Sequence, residues 1–178
     1  MHIVDKIINK YQTNNSLYIG EKVTMAEHMV QTAMLAEQNN SSESLVCACL
    51  LHDYGHFIIK DPNQLVSKSI DGKHENIAFN SLKNYFKPEV VEPIKLHVQA
   101  KRYLCRNKSY WNTLSNASKV SLKLQGDIMS NNDAKKFVSL KFHDDAILLR
   151  KYDDEGKIPN TKIKKIEEYR DLINSQLI

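Results

Sequence analysis

Cysteine is scarce in this chain: Cys47, Cys49 and Cys105 are odd in number and include no Cys-x-x-Cys pair. Neither a disulfide framework nor a thiolate zinc site is therefore expected, and a reducing, cytoplasmic setting is. Glycine (five residues) and proline (four) are also few, and strand-type alternation is nearly absent, which argues against a sheet protein with its many turns. No apolar run approaches the length of a membrane span, and the opening MHIVDKIINKYQ is broken by Asp5, Lys6 and Lys10, so it has no signal-peptide core. Neither sign of charge dominates. The 25 basic and 21 acidic residues are mixed along the chain for a net charge of +4, without the gathered basic face of a nucleic-acid binder. No internal repeat is seen.

What the chain has is length for one domain, residues 1–178, with 42% hydrophobic residues to build its core. Apolar residues recur at helical spacing. Ile3, Val4, Ile7, Ile8 and Tyr11 predict a first amphipathic helix, and Met25 to Gln38 a second, with Thr24 and Glu27 as a capping box. Asn40 and Glu43 suggest another capping box before a helix from Leu45 to Tyr54, stopped by Gly55. Asp61-Pro62-Asn63 and Asp71-Gly72 bracket a polar loop, the candidate lid. Further helices are expected at His74–Phe86, Pro88–Leu104 with a break at Pro93, Asn116–Leu124, Asp133–Phe142, Asp144–Tyr152 and Lys162–Leu177. The fold class is all-α, a helical bundle of about seven to nine helices.

The chemistry gathers at Leu51-His52-Asp53-Tyr54-Gly55-His56. A histidine and an aspartate directly follow the apolar run Leu45–Leu51, an expensive placement in a core unless something binds them. His28, His52, His74 and His97 recur every 22–24 residues, and Asp153 follows. At that spacing successive helices can each offer one ligand to a shared centre. Imidazole and carboxylate without thiolate suit Zn, Fe, Mn or Co, and Asp53 has two oxygens with which to bridge two ions. Weighed alone, a histidine on an apolar helix is more often a hydrogen-bonded core residue than a ligand, and that reading holds for His2. His143-Asp144 is a decoy pair, because its flanks look exposed. The joint order of His, His-Asp-x-Gly-His, His, His and Asp raises the metal reading above chance.

That order resembles the HD-domain superfamily of metal-dependent phosphohydrolases and their oxygenase offshoots. The flanks Tyr18-Ile19-Gly20-Glu21, His97 to Leu104, Ser115-Asn116-Ala117-Ser118, Gln125-Gly126-Asp127-Ile128-Met129 and Arg150 to Lys157 are similar to its PhnZ-like di-iron phosphonate oxygenases. The resemblance spans roughly residues 18–157. It implies two iron ions, Fe(II)/Fe(III), one on His28, His52 and Asp153, the other on His74 and His97, with Asp53 bridging. It further implies that Tyr18 ligates iron at rest and withdraws for substrate, and that Glu21 contacts a substrate amine. Lys101, one helical turn after His97, would place an ammonium beside the metal; with His56, Ser118 and Gln125 it would bind a phosphonate. Tyr18, Glu21, His56 and Lys101 are thus the expected catalytic residues. Arg150 either orients a ligand carboxylate or forms an ordinary ion pair. The expected partners are a small organophosphonate and O2, with no nucleic acid and no membrane. The implied reaction splits 2-amino-1-hydroxyethylphosphonate into glycine and phosphate. A phosphohydrolase of a nucleotide or small phosphate ester is the alternative, and a metal-stabilised regulatory domain a third reading.

Overall fold

The architecture is organised by a helix that is apolar on every side. In the computed structural model, which describes residues 2–18, 20–59 and 71–178, α3 (Glu43–Leu51) buries every residue from Leu45 to Leu51. A helix without a polar face must be surrounded. α2 (Met25–Gln38) and α5 (Pro88–Leu104) pack against it, and α9 (His143–Glu155) crosses α5, α2 and α3. At roughly 1.5–3 kcal/mol per fully buried aliphatic side chain, Leu45, Val46, Leu50 and Leu51 offset the cost of carrying polar residues inward at the end of this helix. α1 (Ile3–Thr13) adds Val4, Ile7, Ile8 and Tyr11 to the same core, and the Tyr11 hydroxyl donates to the Leu50 carbonyl.

Around this centre lie α4 (His74–Leu82), α6 (Lys108–Thr113), α7 (Asn116–Leu124), α8 (Asn131–Val138) and α10 (Arg170–Ser175), with 3-10 turns at Tyr54–Phe57 and Ile166–Tyr169. Among the described residues the only strand-like pairings are the isolated bridges Leu17–Thr24 and Phe86–Leu177. The all-α expectation therefore holds, with ten α-helices among the described residues rather than about seven to nine. The short α6, capped by Asn107, has no buried residue and so no periodic signal, and the C-terminal helix is divided at Arg170. No helix among the described residues is long and apolar enough to cross a membrane.

The helix expected at His74–Phe86 ends at Leu82, the one expected at Asp133–Phe142 covers Asn131–Val138, and three further local expectations change. The Asn40/Glu43 box does not form: Asn40 adopts a left-handed φ of 54°, and Ser42 caps α3 by accepting from the Leu45 amide. α5 runs unbroken through Pro93. The amide that proline lacks would have bonded the carbonyl of Glu89, an exposed residue that water can serve, so the helix tolerates the loss. α3 ends at Leu51, and Gly55 sits within the following 3-10 turn rather than stopping the helix. The candidate lid lies, apart from Asp71 and Gly72, outside the described residues.

Candidate metal centre

Five segments converge on the end of α3. His28 lies on the second turn of α2, whose start is set by the reciprocal Thr24–Glu27 capping box. His52 and Asp53 follow α3 directly, before the 3-10 turn. His74 opens α4, turned inward by the left-handed Lys73 (φ 47°), whose amide donates to Asp71 Oδ1 at 3.0 Å. His97 sits on α5 and Asp153 in the last turn of α9. Two glycines let the segments close up. A Cβ on Gly55 would meet the His74 backbone, and one on Gly156 would lie 2.7 Å from Thr32 Oγ1.

All six side chains are buried. His28, His52 and Asp153 form one group whose ligand-type atoms lie within 4.8 Å of one another, and Asp53, His74 and His97 form a second. Asp53 serves both. Its Oδ2 is 3.5 Å from His52 Nε2 and 3.7 Å from His28 Nε2, while its Oδ1 is 3.2 Å from His74 Nε2 and 3.7 Å from His97 Nε2. Burial alone would raise the Asp53 carboxyl, but His52 and His74 hold it well below the usual range.

The proton positions test whether these residues fit metal ions. His28 Nδ1 is 2.9 Å from the Gly156 carbonyl, His52 Nδ1 2.8 Å from that of Cys49, and His97 Nδ1 2.7 Å from that of Ile94. A carbonyl only accepts, so each Nδ1 carries the proton and each Nε2 presents a lone pair. Yet His28 Nε2 faces His52 Nε2 at 3.2 Å, and two lone pairs so opposed inside a protein call for a cation, a metal ion or a proton, between them. His74 Nε2 lies 3.1 Å from His97 Nε2 and 3.2 Å from Asp53 Oδ1, with no backbone carbonyl among the described residues to fix its tautomer. Asp153 Oδ1, buried with no hydrogen-bond partner, points into the first group, 3.3 Å from His28 Nε2. The donor set therefore fits two ions. By contrast, the decoy His143 donates from Nδ1 to the Leu140 carbonyl at 2.8 Å and faces Asp144, whose side chain is 83% exposed, and His2 is exposed.

A family model described as the HD domain matches residues 25–134, which contain five of the six ligand-type residues. The chain belongs to the HD-domain family. Its relatives place it among the PhnZ-like oxygenases of that family. It is 36% identical over 178 residues to a protein of Gimesia maris named hydroxymethylphosphonate dioxygenase, covering 98% of this chain and 88% of the relative. It is 40% identical over 141 residues to the [1-hydroxy-2-(trimethylamino)ethyl]phosphonate dioxygenase (glycine-betaine-forming) of Leisingera caerulea, covering 79% and 72%. An uncharacterized protein of Acanthamoeba polyphaga mimivirus is 37% identical over 175 residues, covering 96% and 80%.

Beside the paired ligands of this HD domain opens a cavity of about 490 Å3. Tyr18, His56, Lys101, Ser118 and Gln125 line it, as does Arg150. Its other walls are largely apolar, from Met25, Ile59, Val98 and Leu124. The Tyr18 ring lies against His28, centroids 4.4 Å apart, and Gly20, at φ 79°, fits its loop against Ala117 of α7. Burial and the Asp53 carboxylate push the Tyr18 phenol well above its ordinary pKa. His56 stacks on His74 at 4.3 Å, and burial depresses its pKa to about 4, so it is neutral at physiological pH. Lys101 Nζ donates to Ser121 Oγ at 2.8 Å, and burial together with the nearby Arg150 lowers its pKa to about 7. Gln125 Oε1 is buried without a partner. Glu21 does not line the cavity, although it shares the Tyr18 loop and its Oε1 is likewise buried and bare.

Arg150 is no surface ion pair. Its Nη1 donates to Asp153 Oδ2 at 2.6 Å, and it also bonds Asp154, which in turn accepts from the Tyr110 hydroxyl. Tying up one oxygen of Asp153 leaves the other for the centre. Two residues here have no sequence expectation behind them. Ser121 holds Lys101, and its spacing of three from Ser118 puts both on one face of α7. Lys157 approaches Asp153 Oδ1 at 3.4 Å and lies over the Tyr18 ring; the four-residue step from Asp153 to Lys157 was the available signal.

Proposed function

We propose that this chain is a di-iron oxygenase that cleaves the carbon–phosphorus bond of 2-amino-1-hydroxyethylphosphonate with O2, giving glycine and phosphate. The observation that carries the two-ion part is the bridging position of Asp53, one oxygen toward each histidine pair. The names of the relatives support a phosphonate oxygenase over a phosphohydrolase. The reaction balances atom for atom with one dioxygen, as C–H and C–P bonds at the hydroxyl-bearing carbon give way to C–O and P–O bonds. His28, His52 and Asp153 would hold one ion, and His74 and His97 the other, on either side of Asp53. Iron there supplies the oxygen-activating redox chemistry.

The chain's own part is positioning and charge. Lys101, Ser118 and Gln125 form one wall of the cavity and supply donors to a phosphonate dianion. Neutral His56 can donate one hydrogen bond without adding positive charge. Apolar walls exclude water and strengthen each of these contacts. Tyr18 covers the His28 side, and its mobility on a loop would admit substrate.

The choice of a free amine is supported by two features. Glu21, on the Tyr18 loop but outside the cavity lining, carries a buried carboxylate oxygen without a partner among the described residues, a counter-charge that an ammonium would reach if the Tyr18 loop moved. Among the described lining residues Tyr18 is the only phenyl-type ring, too few to cage a quaternary ammonium. We place the reaction in the cytoplasm, where the three free thiols would stay reduced. The test is oxygen uptake and phosphate release by iron-loaded protein offered hydroxymethylphosphonate, the aminohydroxyethyl compound and its trimethylated form. The free-amine compound is expected to be turned over with the highest kcat/KM. Preference for either other compound would overturn the substrate, and turnover of a phosphate ester without oxygen uptake would overturn the oxygenase.

A further inference from the structure

The four imidazoles of the centre are not held alike. In His28, His52 and His97 the outer nitrogen faces a backbone carbonyl, a neutral and immovable partner. His74 Nδ1 has no such carbonyl within hydrogen-bond reach among the described residues. It faces Glu75 Oε2 at 3.7 Å. Glu75 is itself 7% exposed. Its Oε1 accepts from Asn76 Nδ2 at 2.7 Å, but Oε2 is buried with no hydrogen-bond partner among the described residues. An acidic residue in the first turn of a helix ordinarily turns to solvent, where the helix dipole is favourable enough. Here a carboxylate is taken inside and left one donor short, directly opposite a ring nitrogen that is one acceptor short.

Charge sharpens the point. The position flanked by His28 and His52 has a carboxylate of its own, Asp153, besides the shared Asp53. The position flanked by His74 and His97 has only the shared one. We propose that Glu75 is a positioning residue that accepts the Nδ1–H of His74 and supplies, one hydrogen bond removed, the negative charge the His74/His97 position lacks. The inference rests on the two-ion reading of the centre. Closing the gap from 3.7 Å to a charge-assisted bond of about 2.8 Å takes a small side-chain rotation. The bond fixes the tautomer that presents Nε2 inward, anchors the outer edge of a ring that otherwise has only its stacking on His56 on that side of the centre, and makes Nε2 a stronger donor. The pair of positions is thereby built unequal: one steadied by a carboxylate in direct reach, the other by a carboxylate acting through imidazole.

The test uses zinc, which is redox-silent, so the readout is independent of turnover. Metal-free protein is titrated with Zn(II) against a chromophoric chelator, for the unchanged chain, Glu75→Ala and Glu75→Gln. The unchanged chain is expected to take up two ions. In Glu75→Ala one ion should keep its affinity within about twofold while the other weakens roughly 10–100-fold, the usual effect of losing such an outer partner. Glu75→Gln keeps an accepting oxygen without the charge and should fall between. Its metal-free melting temperature should match that of the unchanged chain, because glutamine has the same shape and keeps the oxygen that accepts from Asn76; a matching value shows that this variant folds. Unaltered affinity in both variants, or equal weakening of both ions, would overturn the proposal while leaving two-ion binding intact. Uptake of a single ion by the unchanged chain would instead overturn the two-ion reading, and this inference with it.

Discussion

Gly55→Ala adds one methyl group, and the geometry sets what that methyl must do. A Cβ at Gly55 would lie 2.8 Å from the carbonyl carbon of His74 and 3.1 Å from the amide nitrogen of Ala78, and closer still to the His74 oxygen. These are backbone atoms of α4 and cannot swing aside as a side chain does. Non-bonded carbons settle at about 3.5–4.0 Å, so the start of α4 has to back away by roughly an ångström. His74 opens that helix and moves with it, away from Asp53 Oδ1 at 3.2 Å and His97 Nε2 at 3.1 Å. Overpacking of this kind costs about 1–3 kcal/mol. In a chain of this size each kcal/mol lowers the melting temperature by roughly 2–4 °C, so a drop of about 2–12 °C is expected. A displacement of about 1 Å at reacting groups costs on the order of 100-fold in rate. Differential scanning calorimetry, metal stoichiometry and phosphate release together report all three effects. Two ions bound at unaltered affinity, with turnover within about threefold of the unchanged protein, would refute the claim that this close approach sets the position of His74.

Two further outcomes follow from charges in the cavity wall. Lys101, with a pKa lowered to about 7, would bind an anion as its ammonium and loses that form as pH rises through 7. The kcat/KM for a phosphonate should therefore fall about tenfold per pH unit above that point, whereas Lys101→Arg, charged throughout, should flatten the fall; a steady-state pH profile of both proteins checks this. Arg150→Met leaves Asp153 and Asp154 without their buried partner. We expect a loss of about 3–5 kcal/mol and of the ion beside His28, read by thermal melting and metal analysis, with no rescue by Arg150→Lys because a single ammonium lacks the planar fork that gives each carboxylate its own donor.

The six ligand-type residues were legible because their constraint is compositional: histidine and aspartate on otherwise apolar helices are rare enough for their order to be a signal. Lys101 was legible because one helical turn from His97 fixes its direction. The roles of Gly55 and Gly156 were not, since close approach is a property of two segments and neither glycine announces its opposite number; Gly55 read as a helix stop. Glu75 was invisible for a related reason. An acid in a first helical turn looks like an ordinary surface residue, and only the fold shows that this one faces inward. The misplaced break at Pro93 and cap at Asn40 came from reading local preference alone. Pro93 loses its bond at an exposed residue, and Ser42, two positions along, captures the cap.

The carbonyl of Gly156 that accepts from His28 Nδ1 reaches across 128 positions of chain, and Asp153 stands beside it. A chain still emerging from the ribosome has α2, α3 and the paired His52-Asp53 available long before either of these arrives. Closing a loop of this length is entropically costly, and the reward is withheld until α9 has been made. The first metal position can therefore be completed only near the end of synthesis. Completion of that first position is thus a closing event of maturation in this protein, and a nascent or truncated chain ending before Asp153 carries only the Asp53, His74 and His97 group.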